Sequence, residues 1–184
     1  MEHRIILAGF GGQGVMLTGQ LMTYAGMIEG KEVSWIPSYG PEMRGGTANC
    51  SITISDQAIA SPIVYEPTIA IVLNQPSLDK FAPMVVPGGL LMINSSLITG
   101  KSERTDITQI TLPANDLANE LGDTRVANMI ILGALIGLKG VVSMEAIVES
   151  LKKVLPPHRH ALIPLNQGAL EKGMAQVAFE QKFA

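Results

Sequence analysis

Apolar and polar positions along this chain alternate between two repeats. Short apolar runs at residues 4–8, 69–73 and 90–93 lie between glycine, proline or polar residues and predict buried strands. Residues 32–36 and 107–112 predict two more. Residues 47–54 alternate cleanly: Ala48, Cys50, Ile52 and Ile54 share one face, and Thr47, Asn49, Ser51 and Thr53 the other. That pattern predicts a half-buried strand antiparallel to a neighbour. Leu17, Leu21, Tyr24, Ala25 and Ile28 recur at helical spacing, so residues 14–29 predict an amphipathic helix that Gly30 ends. Further helices are expected at 76–81, 114–121, 126–138, from Ser143 to about 155, and at 164–179. Pro87-Gly88-Gly89 marks a turn and Pro156-Pro157 a break. Strand, glycine loop, helix and strand over residues 4–36 form a βαβ unit, which implies a parallel sheet with a right-handed crossover. The expected fold is a single α/β domain over residues 1–184: three layers, a mostly parallel sheet flanked by helices, and a helical C-terminal third.

Composition narrows the partners. Only 16% of the residues are charged and 47% are hydrophobic, whereas soluble domains carry about a quarter charged residues. A weakly charged surface leaves room for a large protein–protein interface, although a doubly covered parallel sheet raises the apolar count too. The net charge of −3 comes with no basic run, and aromatics make up 4%, so neither a nucleic-acid surface nor a base-stacking platform is expected. The single cysteine, Cys50, excludes an internal disulfide and an iron–sulfur cluster held by this chain's thiols alone. The N-terminal apolar stretch leads into a glycine loop, not a signal-peptide cleavage region. The longest greasy run, 126–138, falls short of the roughly 20 residues a membrane span needs. A cytoplasmic location without a membrane partner is expected.

Two segments concentrate the chemistry. Gly9-Phe10-Gly11-Gly12-Gln13-Gly14 fits the G-x-G-x-x-G spacing of Rossmann-like domains, with a strand before it and a helix after it. Its glycines allow backbone to approach a ligand, and Gln13 adds an amide for a ligand or a neighbouring chain. A dinucleotide also needs an acid near the end of the second strand. That strand ends Ser34-Trp35-Ile36-Pro37-Ser38 without one, which argues against NAD or FAD. The second segment, Ser38-Tyr39-Gly40-Pro41-Glu42-Met43-Arg44-Gly45-Gly46, sets Glu42 and Arg44 within a loop shaped by glycine and proline. The pair reads either as a surface ion pair or as a guanidinium held for an anion or a partner carboxylate. Asn128, polar at the front of a greasy helix, is either a structural link or part of the same edge site. Cys50 lies on the apolar face of its strand and is expected to be inert. His158 and His160 lack a third metal ligand and read as a solvent-facing loop. The ten methionines read as packing.

Taken together, the two segments resemble the gamma subunits of 2-oxoacid:ferredoxin oxidoreductases, in which a G-x-G-G-Q-G loop follows the first strand and S-Y-G-P-E-x-R-G-G the second. The resemblance covers nearly the whole chain, and Pro41-Glu42-Met43-Arg44-Gly45-Gly46 is most similar to the 2-oxoglutarate branch. It implies a subunit without a redox centre in a heteromeric enzyme that converts a 2-oxoacid and CoA to acyl-CoA, CO2 and reduced ferredoxin. Thiamine diphosphate, Mg and [4Fe–4S] clusters would belong to alpha, beta and ferredoxin-like delta subunits, and CoA would be a co-substrate. No catalytic residue and no metal ligand is assigned to this chain; isolated, it is a candidate homodimer. The expected partner or cofactor edge comprises Gly11, Gly12, Gln13, Gly14, Ser38, Tyr39, Gly40, Glu42, Arg44, Gly45, Gly46 and Asn128. The rival readings are a stand-alone Rossmann-type reductase and a non-enzymatic scaffold. An indolepyruvate-type enzyme, pairing such a domain with one large chain, is a variant inside the family.

Overall fold

The computed structural model describes residues 1–38 and 48–183. Six strands form one sheet in the order β2-β3-β1-β4-β5-β6. They are β1 (Glu2–Gly9), β2 (Glu32–Ser38), β3 (Ala48–Ser55), β4 (Ile69–Val72), β5 (Leu90–Asn94) and β6 (Thr108–Leu112). The helices are α1 (Val15–Ile28), α2 (Gln75–Phe81), α3 (Ala114–Glu120), α4 (Ala127–Lys139), α5 (Met144–Val154) and α6 (Ile163–Phe183). All six expected strands and all six expected helices are present, with ends shifted by a few residues.

β1, β4, β5 and β6 pair in parallel. β3 runs antiparallel to both β1 and β2. β1 and β2 therefore share a direction, as the βαβ reading requires, but they are not neighbours: β3 fills the place between them. Hydrophobic periodicity fixes which side of a strand is buried, not which strand lies beside it, so this insertion was invisible to the pattern. Burial along β3 alternates as far as Ser51 and then becomes continuous, with Thr53 and Ser55 also buried. The Ser55 hydroxyl accepts a bond of 3.1 Å from the Gln57 N–H at this end of the strand.

The layers are unequal. Ile5 and Leu7 of β1 face a large core built with α1 and α3–α6, while Ile6 and Ala8 face a smaller core built with α2. α1 lies close on β3 and β2 because its sheet side is glycine. A Cβ on Gly19 would come within 2.7 Å of the Cys50 sulfur, and one on Gly26 within 2.7 Å of Val33. Tyr24, expected in the apolar stripe of α1, points outward instead; the buried side is Val15, Thr18, Gly19, Leu21, Met22, Ala25 and Gly26. α4 and α6 approach closer still: a Cβ on Gly133 would sit 2.0 Å from the Leu170 carbonyl oxygen, and one on Gly173 1.9 Å from that of Ile130. Ser143 caps α5, accepting from the Ala146 N–H at 3.2 Å.

His158 and His160 sit in a short 3-10 turn, Pro157–Leu162, not in an open loop. The His160 ring is engaged with the Leu155 carbonyl at 2.9 Å. Among the described residues no group of three or more metal-ligating side chains occurs. No described helix is long and apolar enough to cross a membrane.

Candidate functional site

The strand directions bring the chemistry to one edge. β1, β2, β4, β5 and β6 all end there, and β3 begins there. Carboxyl ends of parallel strands are where α/β domains meet ligands. Gly9, which opens the glycine loop, pairs with Ala48, and Ser38 pairs with Asn49 one row away. Ser38, the first residue of the second expected segment, and Ala48, shortly after its last, therefore both lie beside the glycine loop. Ser38 is exposed at the end of β2. Tyr39, Gly40, Glu42, Arg44, Gly45 and Gly46 lie outside the described residues.

The glycine loop is fixed from inside by two carboxamides. The Gln13 side chain accepts from the Phe10 N–H at 2.5 Å and donates to the Leu73 carbonyl, just past β4, at 3.1 Å. Gln13, expected as a donor for a ligand or partner, anchors its own loop through these two bonds. Its amide joins the loop to the sheet because Gly9 has no Cβ, which would stand 2.6 Å from the Gln13 oxygen. The second carboxamide is Asn128, 7% exposed, whose Nδ2 donates to the buried Thr18 hydroxyl at 3.1 Å. Gly14 sits at φ +78°, and a Cβ there would lie 2.3 Å from the Asn128 nitrogen. Only glycine satisfies both conditions. Asn128 is thus a structural link between α4 and the start of α1, and it also lines the edge cleft.

That cleft, of about 190 Å³, opens between the loop and the beginning of α4. Gln13, Asn94, Asn115 and Asn128 give it four carboxamides, and Arg125 stands in its wall. Asn94, 2% exposed at the end of β5, donates to Asn115 Oδ1 at 2.8 Å, while its own Oδ1 is buried without a partner among the described residues. Arg125 holds Asp123 through Nε (2.9 Å) and Nη2 (2.7 Å), and these bonds keep the Asp123 carboxyl down at about 2. The guanidinium is mostly solvent-exposed, so the pair adds little stability. Sequence reasoning missed Asn94, Asn115 and Arg125. The available signal was position: Asn94 directly follows the apolar run 90–93, and Asn115 sits just past the end of the next strand.

A second hollow, of about 230 Å³, lies on the other side of the loop. Phe10, Gly11, Gly12 and Ala48 line it together with the first residues of α1. Gly14 provides no side-chain cap to α1. Cys50 is completely buried beneath α1, and burial pushes its thiol up to about 11. It remains protonated and unreactive at neutral pH.

Residues 4–176 match the family model described as pyruvate ferredoxin/flavodoxin oxidoreductase. Over 174 residues the chain is 38% identical to a ketoisovalerate oxidoreductase subunit (VorA) of Methanothermobacter thermautotrophicus, covering 94% of this chain and 36% of that one. The chain thus spans about a third of the length of that relative. It is 35% identical over 159 residues to a 2-oxoglutarate synthase subunit (KorC) of Methanocaldococcus jannaschii, with 85% of each chain covered. A solved gamma subunit of a keto/oxoacid ferredoxin oxidoreductase from Geobacter sulfurreducens superposes with a TM-score of 0.80 at 32% identity, covering 94% of this chain and 96% of that one.

Proposed function

The chain belongs to the pyruvate ferredoxin/flavodoxin oxidoreductase family, and from that premise we propose that it is the gamma subunit of a heteromeric 2-oxoacid:ferredoxin oxidoreductase. In this reading the assembled enzyme converts a 2-oxoacid and CoA to acyl-CoA and CO2 and passes two electrons to ferredoxin. 2-Oxoglutarate is the proposed acid. The near full-length match, in both directions, to a 2-oxoglutarate synthase subunit supports it, as does the Pro41–Gly46 sequence.

The observation that carries the proposal is the single edge on which the chain concentrates its special residues. The glycine loop, the two flanks of the second segment and the carboxamide cleft all lie there. That edge is read as the rim that docks the catalytic subunits, with Tyr39, Glu42 and Arg44 directed to a neighbouring subunit or to the CoA phosphates. Thiamine diphosphate, Mg and the [4Fe–4S] clusters are assigned to alpha, beta and delta partners. A cluster needs several thiolates, and one buried, protonated thiol does not provide them. The chain's own contribution is therefore shape and binding, not electron transfer, in a cytoplasmic complex.

Reconstitution tests this. Ferredoxin reduction by 2-oxoglutarate and CoA is expected to require the chain, with 2-oxoglutarate preferred over pyruvate and branched 2-oxoacids. Full activity without the chain, or purification with partners that lack thiamine and iron, would overturn the reading.

A further inference from the structure

Most polar groups around the edge cleft are spent on the fold. Gln13 bonds Phe10 and the Leu73 carbonyl, and Asn128 bonds Thr18. Two groups are left over. Asn94 lines the cleft at only 2% exposure, and its Oδ1 has no partner among the described residues. Its Nδ2 is committed to Asn115 Oδ1 at 2.8 Å, which holds the amide with its oxygen unspent. The Nδ2 of Asn115 in turn donates to no described residue. A buried acceptor left unmatched weakens a fold, so this one calls for a donor from outside the chain.

We infer that the cleft binds an amino-bearing nucleobase of the adenine type, whose amine donates to Asn94 Oδ1 and whose adjacent ring nitrogen accepts from Asn115 Nδ2. Carboxamides read adenine through such a pairing of donor and acceptor. Position supports this. The chain runs from β1 to β2 on one side of the sheet, while β4, β5 and β6 follow on the other. The cleft draws its walls from the residues that follow β1 and β4 and from the end of β5, which is the crevice where doubly wound sheets hold nucleotides. Charge supports it too. The Arg125 guanidinium is already paired with Asp123 at 2.7 Å, so the wall suits a neutral ring better than a phosphate. At about 190 Å³ the cleft is smaller than the roughly 300–1,000 Å³ of pockets for drug-sized ligands, and it fits one ring system between the apolar Leu73 and Ile131. The inference does not depend on the subunit reading, and the same base occurs in a free nucleoside and in a nucleotide.

Calorimetric titration of the full chain with adenosine, inosine, AMP and ribose 5-phosphate tests it. Adenosine is expected to bind with a Kd below about 1 mM. Inosine exchanges donor and acceptor along that edge and is expected to bind about tenfold or more weakly. AMP bound more tightly than adenosine would assign the site to a nucleotide, and equal affinity to a nucleoside. Asn115→Ala is expected to lose about tenfold in adenosine affinity and with it the preference over inosine, whereas Arg125→Ala keeps both. No adenosine binding, inosine bound equally well, or Asn115→Ala binding as the wild type does would overturn the inference. So would ribose 5-phosphate bound as tightly as AMP, which would make the cleft an anion site. A chain that binds adenosine but no thiamine- and iron-containing partner keeps this inference and defeats the subunit reading alone.

Discussion

Glycines do opposite work in two regions of this molecule. In the α4–α6 seam, Cβ atoms on Gly133 and Gly173 would lie 2.0 and 1.9 Å from carbonyl oxygens of the facing helix. Those glycines exist for the fold. At the outer side of the rim loop, Cβ atoms on Gly11 and Gly12 would meet nothing within 4 Å among the described residues. The seam is filled by the chain itself, whereas the rim leaves space. A glycine's role is thus read from what its missing side chain would strike.

Substitutions sharpen this contrast. The largest effect is expected at the seam. Gly133→Ala or Gly173→Ala forces two backbones apart and should destabilise by about 3 kcal/mol or more, seen as a lower denaturation midpoint at unchanged slope. Next is Gly14→Ala, at about 2 kcal/mol, from left-handed strain and collision with Asn128. Because the clash term belongs to the pair, the double variant Gly14→Ala/Asn128→Ala should cost less than the sum of the single ones in a double-mutant cycle. Additivity there would remove Asn128 from the account of the loop. Thr18→Val, which deletes the acceptor of the Asn128 amide, should cost about 1–2 kcal/mol by the same measurement. The smallest effect has the opposite sign. Gly168 lies within α6 with open space around it, so Gly168→Ala should stabilise by about 0.5–1 kcal/mol.

Cys50 gives a pH test of the interior against the rim. Its folded-state pKa is raised from the ordinary 9.0 to about 11 by burial, with the Trp35 contact opposing that rise. The folded state then holds a proton that the unfolded state releases first. The resulting stability is full below about pH 9 and declines as pH rises towards 11. The slope of denaturation midpoint against pH in that window should flatten in Cys50→Ala.

The elements themselves were legible because each has one dominant period. The run at 69–73 and the alternation from Ala48 to Ile54 needed no tertiary knowledge. The alternation made the antiparallel direction of β3 legible, but not its insertion between β1 and β2, because periodicity does not say which strand lies beside it. Gln13 was found as a special residue, but its partner, the Leu73 carbonyl, is 60 residues away, and nothing local announces it. Asn128 and Gly14 were each picked out separately; their contact became visible only when α4 was placed over the start of α1. Asn94 and Asn115 were missed because an asparagine after a strand looks like any turn residue until the strand ends are seen to share an edge.

The most direct measurement of the central claim is amide hydrogen exchange of this chain, free and in the assembled enzyme. The account predicts that protection gained on assembly falls on Phe10 to Gln13, on Ser38 and on the residues around Asn128, while the opposite sheet edge near Lys31 and Gly140 is unchanged. Protection gained at that opposite edge, with the glycine loop exchanging as freely as before, would contradict it.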